Sequence, residues 1–256
     1  MFQVTESCET LEHVKIPDGT ISLTCAELGL KSLKGCPESV LELNCSDNQL
    51  NSFEYFPPLI KRLDISRNRF ISLSGCPNKV TELRCSNNLL KSLECDLPSL
   101  KSLGCSFNHL ETLKGCPPSV KSIVCAFTFL KSLEGAPSRM DKFYCSYNYL
   151  TDLEYCPVAR NLDVSCNLLT SLVGCPEGVA ELCVSNNKLK DLVGCPTSVR
   201  ILRCSGNKLE TLKGCSQNVE IVECSKNRLT TLNYLPATVK EVFSFHGKEA
   251  IHHQQD

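Results

Sequence analysis

Apolar side chains recur along this chain at fixed places in an eleven-residue block that returns every twenty residues. In V-L-E-L-N-C-S-D-N-Q-L, Val40, Leu43, Cys45, Asn48 and Leu50 take positions 1, 4, 6, 9 and 11. V-T-E-L-R-C-S-N-N-L-L (Val80 to Leu90) and V-R-I-L-R-C-S-G-N-K-L (Val199 to Leu209) are further copies. Positions 3 to 7 alternate between outward and inward, the period of a strand. The segment between blocks, such as K-S-L-K-G-C-P-E-S, contains Gly and Pro and has no run long enough for a helix. Each copy therefore reads as one short strand, a turn and an extended return. Copies stacked in register predict parallel strands.

Position 4 falls at Leu43, Leu63, Leu83, Leu103, Ile123 and Phe143. It next falls at Leu162, nineteen residues on, because C-P-V-A (Cys156 to Ala159) is one residue shorter than C-P-P-S-V. Leu182, Leu202 and Val222 resume the step, and Val239 to Val242 begin a copy that breaks off. A degenerate first copy, Thr20 to Leu30, has Leu28 where Asn belongs. The expected organisation is a cap over residues 1–19, eleven repeats over 20–238, and a closing strand with a polar tail over 239–256, the tail fraying.

The block resembles the leucine-rich repeat, L-x-x-L-x-L-x-x-N-x-L, with Cys in the third Leu slot, over about nine-tenths of the chain. The resemblance implies a leucine-rich repeat solenoid, α/β class by convention. It would be a curved right-handed coil with one parallel β-sheet on the concave face and turn or extended segments on the convex face. The twenty-residue form is similar to repeats of bacterial effectors delivered into host cells. Gly35-Cys36-Pro37, Gly75-Cys76-Pro77 and Gly194-Cys195-Pro196 take the place of their second L-P. Some such effectors continue into a ubiquitin-ligase domain with a catalytic Cys. Only the tail follows Val242 here, so that activity is not expected. Similar repeats occur in large amoebal viruses.

Nineteen cysteines fall mainly in two columns. Cys25, Cys45, Cys85, Cys105, Cys125, Cys145, Cys204 and Cys224 stand at position 6, where other copies carry Ile65, Val164 and Val184. Cys36, Cys76, Cys116, Cys156, Cys175, Cys195 and Cys215 stand in or near the G-C-P turn, where Phe56, Ala136 and Leu235 also occur. Slots that accept Ile, Val or Phe are apolar packing slots, which a thiol can fill. In-register Cβ vectors run parallel, and a bridge needs Cβ atoms about 3.8 Å apart, so reduced thiols and a reducing, intracellular compartment are expected. Cys166 and Cys183 leave the columns and are expected nearer the surface. A metal site needs converging ligands, and columns do not converge, so no metal or cofactor is expected. A thiol-based redox sensor or metal-buffering protein is the alternative function.

Lysine and arginine total 27 against 28 acidic residues, which gives nucleic acid and anionic membranes no field to follow. No apolar run approaches the ~18 residues of a membrane span. The first residues have neither the basic flank nor the apolar run of a secretory signal. No phosphate loop, dinucleotide fingerprint or H-E-x-x-H occurs, and His252 and His253 lie in the tail.

Asn48, Asn68, Asn88, Asn108, Asn148, Asn167, Asn187, Asn207 and Asn227 hold position 9. A ladder of buried amides, each bonding the backbone of its own and the next turn, is the expected role. Position 7 is Ser in nine copies, from Ser46 to Ser225, expected to lay a row of hydroxyls across the concave face. No His or Lys recurs beside them, so no catalytic residue is assigned.

Repeats 5 to 7 alone break the polar trend of the loop positions. Phe107, Phe127 and Tyr147 occupy position 8; His109, Phe129 and Tyr149 occupy position 10; Tyr144 sits at position 5. Elsewhere these positions carry residues such as Asp47, Asn87, Asn186 and Lys188. Both rows exposed would make a partner-binding patch; a position-10 row turned inward would merely pack around Thr128, which interrupts the Asn ladder. The expected function is non-enzymatic binding of another protein on the concave face or rim, as a host-directed effector, with neither nucleic acid nor membrane as partner.

Overall fold

Three residues of each block suffice for a strand, because the apolar residue at position 4 turns inward while its neighbours at 3 and 5 face out. In Glu42–Asn44 the central Leu43 is buried and its flanks half-buried. The computed structural model describes residues 1–244 and 247–249. The chain forms two compact units, Met1–Thr128 and Phe129–Asp256.

In the first unit seven strands run parallel in sequence order: β1 (Phe2–Gln3), β2 (Ser22–Thr24), β3 (Glu42–Asn44), β4 (Arg62–Asp64), β5 (Glu82–Arg84), β6 (Ser102–Gly104) and β7 (Ser122–Val124). The register is the sequence repeat itself: Leu23 faces Leu43, Leu63 faces Leu83, and Leu103 faces Ile123. Residues 1–19 contribute more than a plug. β1 pairs with β2, and Val4 and Leu11 are buried with the first coils.

The second unit holds β8 (Arg139–Tyr144), β9 (Val158–Asp163), β10 (Glu181–Cys183), β11 (Ile201–Arg203), β12 (Ile221–Glu223), β13 (Glu241–Ser244) and β14 (Gly247–Glu249). All pair in parallel except β14, which turns back antiparallel on β13. Fraying was expected from residue 246 onward; residues 247–249 instead form a strand, because β13 offers them an open edge. His252, His253 and the rest of the tail lie outside the described residues. The nineteen-residue copy leaves its mark here. β8 and β9 stay paired over six residues, from Arg139↔Val158 to Tyr144↔Asp163. The missing residue removes the turn that elsewhere delays the strand until position 3.

Each unit's core is built of repeated rows, with Leu, Val or Ile at positions 1, 4 and 11 almost fully buried. In the first unit Phe53, Phe56 and Phe70 pack together, with ring centroids 4.6 to 6.3 Å apart. There Phe56 fills the slot a turn cysteine takes in other coils. All eight position-6 cysteines are buried and none of the nineteen is in a disulfide. Cys45 and Cys85 each donate a weak hydrogen bond, at 3.4 Å, to the position-5 carbonyl of the following coil. The turn column departs from the expected packing role in part. Cys76, Cys116 and Cys215 are buried, but Cys36, Cys156, Cys175 and Cys195 are half-exposed, because the G-C-P corner lies at the rim of the core.

Candidate functional site

The Asn ladder holds the loops on which positions 8 and 10 are displayed. Asn68 Nδ2 donates to the carbonyls of Cys45, Ile65 and Ser66 at 2.9 to 3.2 Å, and its Oδ1 accepts from Leu50 N at 2.9 Å. Asn88, Asn108 and, in the second unit, Asn167, Asn187 and Asn207 repeat the pattern. Each amide thus reaches its own coil and the preceding one, where the following coil was expected. The strand has ended and the chain is turning back there, so the preceding coil's Leu N–H and position-6 carbonyl would otherwise lack partners. Asn48 does the same for the degenerate first copy, accepting from Leu28 N and Leu30 N.

Position 8 adopts the left-handed conformation in copy after copy: Asp47, Arg67, Asn87, Phe107 and Phe127 in the first unit have φ between 54° and 56°, as do Tyr147, Cys166, Asn186 and Lys226 in the second. The sequence carried this signal in Asp47, Asn87, Asn186 and Gly206, residue types that tolerate the region. An aromatic residue there costs roughly 1–2 kcal/mol of backbone strain that Gly would not incur. The conformation turns the side chain away from the core, which is why position 8 faces solvent.

In the first unit Phe107 and Phe127 are 49% and 42% exposed. Their rings stack at 4.6 Å between centroids with 9° between planes. His109 is exposed beside them, and Leu89, which the sequence reading passed over, adds an apolar residue at position 10, 45% exposed. In the second unit Phe129 and Tyr149 are 45% and 50% exposed and stack at 6.1 Å, with 10° between planes; Tyr147 is 51% exposed. The position-10 row therefore faces outward in both units and does not pack inward.

Tyr144 is half-buried on β8 and borders a shallow depression with Asp163, Cys183 and Arg203. Cys183 and Cys166 are both half-exposed, as expected; Asn186 Nδ2 lies 3.6 Å from Cys166 Sγ. The position-7 serines do not form the open hydroxyl row expected. Most are half-buried, Ser106 is 9% exposed, and Ser225 Oγ donates to Phe243 O at 3.3 Å. They stand where the strand already bends, so their hydroxyls meet neighbouring backbone.

The inner strand faces of the remaining coils carry paired charge. Arg62 contacts Glu42 at 2.8 Å and Arg84 contacts Glu82 at 3.1 Å in the first unit; Arg203 contacts Glu223 at 3.0 Å in the second. Among the described residues no group of three His, Cys, Asp or Glu side chains is placed to hold a metal ion. Burial raises the thiols: Cys76 and Cys116 to about 12, and fully buried Cys45 and Cys204 well above the usual range.

Stacked parallel strands, one per twenty-residue copy, with an Asn ladder closing each turn, decide the fold. The chain has the leucine-rich repeat fold. Solved structures share this leucine-rich repeat fold. YopM from Yersinia enterocolitica WA-314 is 25% identical with a TM-score of 0.66, over 94% of this chain and 63% of that one. This chain thus spans less than two thirds of that protein's length. YopM from Yersinia pestis, a leucine-rich effector protein, is 24% identical with a TM-score of 0.72, over 90% of this chain and 72% of that one. The leucine-rich repeat of FLRT2, solved in a complex with Latrophilin 3 and Unc5D, is 18% identical with a TM-score of 0.71, over 91% of this chain and 86% of that one. No protein-family model matches the chain, and neither does any curated protein.

Proposed function

We propose that this leucine-rich repeat protein is a non-enzymatic scaffold that binds another protein through the aromatic residues at positions 8 and 10 of repeats 5 to 7. One observation carries the reading: at position 8 the bulky rings of Phe107, Phe127 and Tyr147 stand exposed in a slot whose backbone favours Asn, Asp or Gly. Such rings incur strain and leave apolar surface in water, and aromatics dominate the binding energy at interface centres. The solved neighbours add support, since FLRT2 was solved in a complex with other proteins. The narrower reading, an effector acting in the reducing cytoplasm of a host cell, is supported by the effector YopM and by thiols used as core residues.

The test is affinity purification from host-cell lysate with wild type and three double variants. Phe107→Ala/Phe127→Ala probes the first unit, Tyr147→Ala/Tyr149→Ala the second, and Asn186→Ala/Lys188→Ala is the control. The expected result is a partner captured by wild type and control and lost, by about ten-fold or more, in at least one aromatic variant that remains folded. Equal capture by all four proteins refutes the site.

A further inference from the structure

The floor beside the Phe107–Phe127 stack differs from every other stretch of inner face that carries charge. β3, β4 and β5 present Glu42, Arg62, Asp64, Glu82 and Arg84. β6 and β7 present only Ser102, Gly104, Ser122 and Val124. Two adjacent coils therefore offer small, uncharged side chains, with Val124 40% exposed. Gly104 leaves the sheet open to close approach.

At the start of these strands position 2 is Lys101 and Lys121, both exposed. Among the described residues neither ammonium has an ion-pair partner, whereas Glu82 on β5 is engaged by Arg84 at 3.1 Å and Arg62 at 3.9 Å. Position 2 of the second unit behaves differently: Arg200 and Lys240 both contact Glu220 there. Along repeats 5 and 6 the surface thus runs from two uncompensated cations, over a neutral floor, to an aromatic wall. Phe107 lies six positions after Lys101, a span of at most about 20 Å in extended chain.

We propose that β6 and β7 bind an extended acidic segment of a partner protein, its carboxylates on Lys101 and Lys121 and an aromatic or aliphatic side chain about six residues away against Phe107 and Phe127. The assignment rests on the protein-binding reading above and names the chemistry of the partner. Exposed lysines without an ion-pair partner among the described residues, beside an uncharged floor, favour carboxylates, and complementary charge gives such a contact its specificity. Single-stranded nucleic acid would use the same cations, but it gains its affinity from bases stacked on free ring faces. Phe107 and Phe127 stack on one another at 4.6 Å, so each ring has one face already covered. The exposed ring surface that remains suits an aromatic or aliphatic side chain.

The test uses fluorescein-labelled probes and anisotropy on the full chain. The first probe is a peptide with two glutamates, a Gly-Ser spacer of five residues and a terminal Trp. Its siblings replace both glutamates by lysine, or the Trp by Ser; a fourth probe is a ten-nucleotide oligothymidylate. The expected result is saturable binding of the first peptide, weaker by about ten-fold or more for either sibling and for the Lys101→Glu/Lys121→Glu variant. The control Lys188→Glu/Lys208→Glu, in the second unit, should bind as wild type. Absence of binding by the first peptide at millimolar protein, equal binding of the lysine sibling, or preference for oligothymidylate overturns the proposal. Partner capture lost in Phe107→Ala/Phe127→Ala but retained in Lys101→Glu/Lys121→Glu overturns the acidic assignment alone and leaves the protein-binding reading standing.

Discussion

At position 9 one side chain serves two coils. Asn88 Nδ2 donates to Ile65 O, Cys85 O and Ser86 O at 3.0 to 3.3 Å, and its Oδ1 accepts from Phe70 N at 2.9 Å. The residue is 5% exposed, so water cannot replace these bonds when the amide is removed. Asn88→Ala is expected to cost roughly 1–3 kcal/mol in a denaturant titration, the penalty of stranding buried backbone groups, with partner binding unchanged. A loss below a few tenths of a kcal/mol would mean the ladder is decorative. Position 8 shows the opposite economy at the same scale. Its backbone is held left-handed whatever the residue, so Phe107 and Tyr147 accept strain that Asn87 and Gly206 escape.

Among the elements, the two cysteine columns separate by depth. Position 6 lies behind the strand and is closed on every side; the turn column sits at a corner and is half-open in four of its seven cysteines. Thiol labelling of native protein under mild conditions should therefore modify the partly exposed thiols, Cys8, Cys95, Cys166, Cys183 and the four open turn cysteines, before the eight position-6 thiols. Mass spectrometry of the labelled peptides gives the order. Early labelling of Cys105 or Cys204 would show that the strand column opens in the native state. The six-residue pairing of β8 with β9 belongs to this scale as well. A one-residue deletion in a turn lengthens two strands and leaves the inward rows intact, because the register shifts by nineteen along its whole length.

Across the molecule, the thiols make stability depend on alkaline pH. Burial raises the folded-state pKa of Cys36, Cys76, Cys116, Cys175 and Cys215 to about 12, and of Cys95 and Cys195 to about 11. An unfolded thiol titrates near 8.5. Below that pH both states are protonated and the thiols' contribution is fully present. As pH rises the unfolded chain ionises first, and the contribution is lost progressively toward pH 12. The urea midpoint should be level between pH 6 and 8 and fall steeply from about pH 9. Replacing Cys204, which is fully buried, by Val should flatten that fall; a midpoint that holds to pH 11 would contradict the buried, protonated columns.

The repeat period, the inward rows, the parallel register and the Asn ladder were all legible in the sequence, because a solenoid writes its contacts at one fixed spacing and each coil touches only its neighbours. The nineteen-residue step at Leu162 was legible for the same reason. Tertiary structure decided what that spacing leaves undetermined. That Phe129 and Tyr149 face water was not legible from their polarity, and the left-handed turn at position 8 set the direction of Phe107 and Phe127. Ser106 at position 7 is buried for a related reason: it lies against the next coil, where its hydroxyl accepts from Ala126 N at 3.1 Å. Lys101 and Lys121 look in the sequence like any other surface lysines. Only their placement beside an uncharged floor, with the acids of β5 already taken by Arg62 and Arg84, distinguishes them, and that is a matter of which side chains the stacking brings together.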